Sequence, residues 1–319
     1  MKNSIIFLIL IFAALTDSRV IGQTPALPPE FGPHQWTATV KGVGEDGNPV
    51  AAADVSFQYT VSTPPGSSEP TFGEVKGLTD TNGMFSASHT DSSYDLGVVI
   101  DKAGYYATQT GWQFYYDDKR RNPSFTLVLK KIGHPIAMYA KKVNLGMPVF
   151  DKAAGFDLTV GDWVAPYGKG TAADLIFTAH NEKRSEFDWD YKLVVSFPNA
   201  GDGIQEFVVP KSEIGSGLRS SHEAPADGYQ PQWVQTMACR PHSGGYSGNR
   251  DDNRNYFFRV RTVKDHEGNI VSAHYGKIYG DFMQLTYYLN PTPNDRNIEY
   301  DPKQNLLGGL QSFEQVDAP

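Results

Sequence analysis

The chain has 319 residues, with 28 Lys and Arg against 36 Asp and Glu, a formal net charge of −8, one cysteine and 13% aromatics. Neutralising phosphates needs a basic surface, so this balance excludes a nucleic-acid partner, and a single cysteine excludes a disulfide scaffold. With 31 Gly, 21 Pro and only 20% charged residues, a coiled coil and a highly charged disordered chain are excluded too. What is left is a turn-rich globular protein of about two domains at roughly 150 residues each.

Residues 1–22 read as a secretory signal peptide. Lys2 supplies a positive start, and Ile5 to Leu15 is an eleven-residue apolar run, too short for the roughly 20 residues that span a bilayer. Val20 and Gly22 meet the small-residue rule for cleavage and make Gln23 the expected mature start. The expected location is secreted or periplasmic, or the cell surface, with no membrane span once the signal is cleaved. Cys239 has no partner in the chain and reads as a small, half-buried apolar side chain.

Residues 23–34 hold four prolines and form a Pro-rich linker. From Trp36 the pattern becomes that of short strands. Val55, Phe57 and Tyr59 share one face of a period-two run. The clusters Glu45-Asp46-Gly47-Asn48-Pro49 and Thr81-Asn82-Gly83 are turn signals. Further strands follow at Leu96 to Asp101 and at Phe125 to Leu129, before Lys130-Lys131. About seven short strands with turns every 8–12 residues describe a sandwich.

Val40, Asp46-Gly47-Asn48-Pro49-Val50 and Ala53-Asp54-Val55, followed by Thr79-Asp80-Thr81-Asn82-Gly83-Met84-Phe85 and Lys102-Ala103-Gly104-Tyr105, resemble the carboxypeptidase regulatory-like domain. This is a transthyretin-like β-sandwich of many secreted bacterial proteins. The resemblance covers about residues 36–131 and departs from the family at Ala51-Ala52-Ala53 and in the long 62–76 loop. It implies a sandwich with an accessory, noncatalytic role and no active site. The first domain is accordingly set at 35–132, followed by a connector, 133–155.

A second β-rich domain of no recognised family is expected over 156–300, and a loosely ordered tail over 301–319. Its clearest strand, Phe187 to Val195, places Phe187, Trp189, Tyr191, Leu193 and Val195 on one face and Asp188, Asp190 and Lys192 on the other. Tyr256 to Val263 alternates as well, and Phe282 to Leu289 supplies a last strand. The ending Tyr288 to Asn297 resembles that of uncharacterised exported bacterial proteins. The expected fold class is therefore all-β, with two β-sandwich-like domains in tandem.

No catalytic residue, metal ligand or cofactor site follows from the motifs. None of the histidines begins the H-x-x-E or H-E-x-x-H spacing of a zinc peptidase. Gly245-Tyr246-Ser247-Gly248-Asn249 lacks the second glycine of a serine-hydrolase elbow. Asp80, Asp188-Trp189-Asp190 and Asp251-Asp252-Asn253 offer oxygens but no complete calcium loop.

The most informative stretch is 215–254, which reads as one long aperiodic loop, and such loops are uncommon unless functional or disordered. Tyr229, Trp233, Arg240 and His242 are its candidate binding residues. An aromatic ring flanked by amide and guanidinium groups suits a sugar. The leading expectation is an exported noncatalytic binding or scaffold protein whose partner is a glycan or another exported protein. The alternatives are carbohydrate recognition through this loop, or a hydrolase in which His222 or His242 meets Glu223, Asp227 or Cys239.

Overall fold

The computed structural model describes residues 34–62, 71–93, 95–114, 121–241, 245–251, 254–282 and 284–319. The signal segment 1–22, linker residues 23–33 and His242 lie outside the described residues. The protein is all-β. The first sandwich contains β1 (His34–Gly44), β2 (Asp54–Ser62), β3 (Thr71–Leu78), β4 (Met84–Asp91), β5 (Asp95–Asp101), β6 (Thr108–Gln113) and β7 (Ser124–Leu129). They form a three-stranded sheet, β4-β1-β7, and a four-stranded sheet, β3-β2-β5-β6.

Strand alternation delivers every second residue to the space between these sheets. Trp36, Ala38 and Val40 from β1 meet Val55 and Phe57 from β2, Leu96, Val98 and Ile100 from β5, and Leu127 and Leu129 from β7. Full burial of Phe57 stabilises the fold by roughly 1.5–3 kcal/mol. The indole N–H of Trp36 donates to Asp91 Oδ2 at 2.7 Å. Two turns lock together beside this core. Gly42 N donates to Gly83 O at 2.8 Å and Val50 N to Gly42 O at 2.9 Å. The Thr79 hydroxyl donates to Val50 O at 2.7 Å and accepts from Ala53 N at 2.9 Å. Gly83 has φ +74, and a Cβ there would stand 2.4 Å from Gly42 O. Only glycine fits that position.

The second unit contains β8 (Ile136–Asn144), β9 (Ala153–Asp157), β10 (Asp162–Trp163), β11 (Leu175–Ser185), β12 (Asp188–Ser196), β13 (Gly203–Val208), β14 (Gln232–Cys239), β15 (Tyr246–Gly248), β16 (Arg254–Lys264), β17 (Ile270–Gly280), β18 (Gln284–Leu289) and β19 (Tyr300–Asn305). Its sheets run β10-β9-β11-β12-β14-β15 and β13-β16-β17-β18-β8-β19. Phe177, Leu193, Val195, Tyr256, Phe258, Ile278 and Tyr287 fill the space between them. The second sheet is also covered on its far side, where Phe257, Tyr275, Tyr279 and Tyr288 pack against Ala224, Ile298 and Val316. This is why β16 is a nearly continuous buried run rather than an alternating one.

Three expectations are corrected. The 133–155 connector holds β8, an inner strand flanked by β18 and β19. The 301–319 tail is tied down, since β19 pairs with β8, Val316 is buried, and the Tyr288 hydroxyl donates to Ala318 O at 3.0 Å. The 215–254 stretch is broken by β14, which pairs along its whole length with β12. Gln235, 2% exposed, occupies an inward position of β14 and interrupts its apolar period.

Candidate functional site

Residues 209–222 leave the second sandwich and lie along the first as a strap. The turn closes through Glu213 N to Pro210 O at 2.8 Å and Ser216 N to Glu213 O at 2.9 Å. The strap then supplies partners to two sheet edges. Val128 N of β7 donates to Ser212 O at 3.1 Å, Gln109 N of β6 donates to Gly215 O at 3.0 Å, and Gly217 N donates to Ala107 O at 2.9 Å. The approach is so close that a Cβ on Gly215 would lie 1.7 Å from Gln109 O. Lys130, 4% exposed, is held by Glu213 at 2.8 Å and by Ser220 O at 2.9 Å. A buried ammonium requires such a pairing.

Beside the strap lies a cleft of about 320 Å³ between Lys131, His134, His222, Glu223 and Glu299. Glu299, 2% exposed, is its organising residue. Its carboxylate accepts from Gly133 N at 3.0 Å, His134 N at 2.6 Å and the Tyr106 hydroxyl at 2.9 Å. Burial pushes this carboxyl upward. The His134 and Gly133 N–H groups, the Tyr106 hydroxyl and the nearby His222 outweigh that effect and hold it below the ordinary value. Burial and the same carboxylate drive the Tyr106 phenol well above its usual range. His222 completes the junction, with Nε2 3.1 Å from Glu45 Oε2 in the β1–β2 turn and Nδ1 3.0 Å from Glu299 Oε1. Glu223 pairs with Arg296 at 2.7 Å.

A buried polar cluster sits behind the strap. Lys277, fully buried, donates to Ser220 Oγ at 3.2 Å and lies 4.8 Å from the Tyr288 ring centroid. Burial lowers its pKa below the ordinary lysine value, against the attraction of Tyr279. The Tyr279 hydroxyl also bonds to Ser220 Oγ, at 3.3 Å, and the Arg219 guanidinium covers its ring at 4.1 Å.

The sequence-derived binding residues occupy separate settings. Tyr229 packs on the far side of the second sheet, its hydroxyl donating to Pro225 O at 2.8 Å and its ring covered by Arg259 at 4.7 Å. Trp233 packs against the inter-sheet core, edge-on to Tyr256 at 5.3 Å. Arg240 lies past the other end of β14, about 23 Å along the strand from Trp233 at roughly 3.3 Å per residue. It is paired there with Asp190 and donates to Trp189 O at 3.0 Å.

The acidic clusters are likewise committed. Arg184 stands 2.7 Å from Asp188 and 2.6 Å from Asp190, and together with Arg240 it occupies the oxygens a calcium ion would need. Arg184 holds the Asp188 carboxyl below its ordinary value, as Arg240 and then Arg184 do for Asp190. Asp80 accepts the N–H groups of Asn82 and Met84. Asp252 and Asn253 fall outside the described residues. His222 meets Glu45 and Glu299, not the Glu223, Asp227 or Cys239 side chains that the hydrolase alternative needs. Cys239 is buried on β14. Among the described residues, no three His, Cys, Asp or Glu side chains gather in a metal-binding group, and no helix is long and apolar enough to cross a membrane.

The outward face of β11, β12 and β14 carries a second cleft, of about 380 Å³, between His180, Glu182, Asp190, Lys192 and Thr236. On the first sandwich, by contrast, the outward face of β1 and β4 is laid with hydroxyls. Thr37 bonds Ser88 at 2.7 Å and Thr39 bonds Ser86 at 2.9 Å.

These sheets, their two cores and the strap define an all-β protein built of sandwich domains. No family model matches the chain, and no curated protein matches it. Among solved structures it is similar to 3-chlorocatechol 1,2-dioxygenase from Rhodococcus opacus 1CP, at 14% identity and a TM-score of 0.24, over 31% of this chain and 60% of that one. It therefore spans less than two thirds of that protein. It is also similar to the shaft pilin spaA from Lactobacillus rhamnosus GG, at 11% identity and a TM-score of 0.24, over 73% of this chain and 89% of the pilin. A DUF3823 family protein from Parabacteroides merdae ATCC 43184 matches at 4% identity and a TM-score of 0.20, over 84% and 98% of the two chains. At such values none of these likenesses carries an argument about function.

Proposed function

We propose that the protein is an exported, noncatalytic binding or scaffold protein, with the first sandwich a carboxypeptidase regulatory-like domain. The strap is the observation that supports this reading most. It engages two strand edges and a buried lysine, and so favours one rigid body with two outward faces of different chemistry, one of hydroxyls and one of charges. The polar side chains around the junction serve one another, with Glu299 accepting three donors and Glu223 paired to Arg296. The interlock of Gly42, Val50, Thr79 and Gly83 gives the motif residues of the first domain a joint structural role.

Glycan recognition is the second reading, and it shifts from Trp233 to Tyr246. That ring is 80% exposed and rests on Trp189 at 5.6 Å, an arrangement that leaves an aromatic face for a sugar ring. Incubating the full chain with polysaccharide and ester panels should give no turnover, and release of reducing sugar or acid would overturn the noncatalytic reading. Retention on polysaccharide that falls at least tenfold in Tyr246→Ala supports the glycan reading, whereas unchanged retention removes Tyr246 from it.

A further inference from the structure

His222 is bracketed by two carboxylates that come from different parts of the chain. Glu45 belongs to the first sandwich, and Glu299 precedes β19 in the second. Both ring nitrogens are near an acceptor, at 3.1 and 3.0 Å. A neutral imidazole has one N–H and one lone pair, so it can serve only one of two ionised carboxylates. The geometry shows the mismatch directly. Nδ1 is buried and makes no aligned hydrogen bond, although Glu299 Oε1 is 3.0 Å away. Glu299 already accepts from Gly133, His134 and Tyr106, so its position is set by other groups and does not adjust to the imidazole.

We propose that His222 is a proton-operated latch that tightens the junction between the two sandwiches as the medium becomes acidic. Protonation gives the ring a second N–H and a positive charge, so both contacts become charge-assisted. Imidazole is the side chain whose charge changes between about pH 5 and 8. The closed junction offers the imidazolium two carboxylates and an opened one offers none at fixed distance, so closing takes up a proton. By linkage, acidification through that window favours closure.

Other charged groups also line the cleft. Lys131 opposes added positive charge, His134 from the connector lines the cleft beside it, and Glu223 is offset by Arg296. The Tyr106 hydroxyl faces Glu299, not His222. In stronger acid the carboxylates themselves protonate and the latch is lost.

The test is hydrogen exchange of the full chain from pH 8 to 5.5, scaled for the intrinsic rate at each pH and read at residues 131–134 and 210–222. Protection should rise about fivefold across that range, the scale of a partly exposed charge-assisted contact. His222→Gln keeps a polar side chain but cannot gain charge, so its rise should vanish. His134→Gln should keep the rise. Should His222→Gln fail to fold, Glu45→Gln carries the test, because Glu45 is on an exposed turn and its loss should at least halve the rise. A flat wild-type profile, or a full rise in both His222→Gln and Glu45→Gln, overturns the latch.

Discussion

The two sandwiches differ in how each manages its own surface. The first closes one core between its two sheets and leaves the β6 and β7 edges to be covered by residues 212–217 of the second. The second buries one of its sheets on both faces, using its own tail and its own 222–230 segment for the outer layer. Unpaired strand edges invite association with other chains, so the first domain depends on its neighbour in a way the second does not. The lesson concerns completeness: a domain with an intact core can still lack its edges.

The largest expected effect would test the independence of the cores. Trp36→Ala and Phe258→Ala each remove a fully buried ring and should each cost about 3–5 kcal/mol. Calorimetry should show Phe258→Ala loosening both sandwiches, because the strap goes with the second, whereas Trp36→Ala should leave the second transition in place. Equal damage from the two variants would break the comparison. Gly215→Ala should be milder, at about 2 kcal/mol. Its Cβ would collide with Gln109 O and lift the strap, which should lower the first sandwich's transition and leave the second's in place.

The smallest effect is one of pH. The folded state holds Glu299 below its ordinary value, so its contribution is fully present above the unfolded carboxylate pKa near 4.3. It is lost as pH falls through the lower folded value. Thermal midpoints measured from pH 5 to 3 should therefore fall less steeply in Glu299→Gln than in the wild-type chain. Parallel slopes would remove Glu299 from the acid response.

How much of this could be read from residues depends on range. Val55, Phe57 and Tyr59 announce their strand through period-two alternation, and Asp46-Gly47 and Asn82-Gly83 announce their turns, because each signal lies within a few positions. The β8 strand escaped because it sits deep inside a sheet whose neighbours, β18 and β19, come more than a hundred residues later. The tail escaped because its core contacts, Leu307 and Val316, are far apart with no period between them. The β14 strand was hidden by one inward glutamine, Gln235.

Beyond His222 in the 215–254 stretch, the junction left no sequence signal. Tyr106 and Glu299 are 193 positions apart, and neither lies in a motif with fixed spacing. Among the proposed binding residues the reverse holds: Tyr229 and Trp233 are close in sequence, yet they face different layers. Proximity along a chain predicts shared geometry only when both residues project from the same face of the same element.

The strap also sets an order of events. As the chain emerges, β7 ends at Leu129, and Gly217 follows 88 residues later. At synthesis rates of about 5–20 residues per second this is roughly 4–18 s. For that interval the first sandwich can assemble its core while its β6 and β7 edges stand open to any passing strand. A chaperone or a second chain would find its opportunity there, before the chain supplies its own cover.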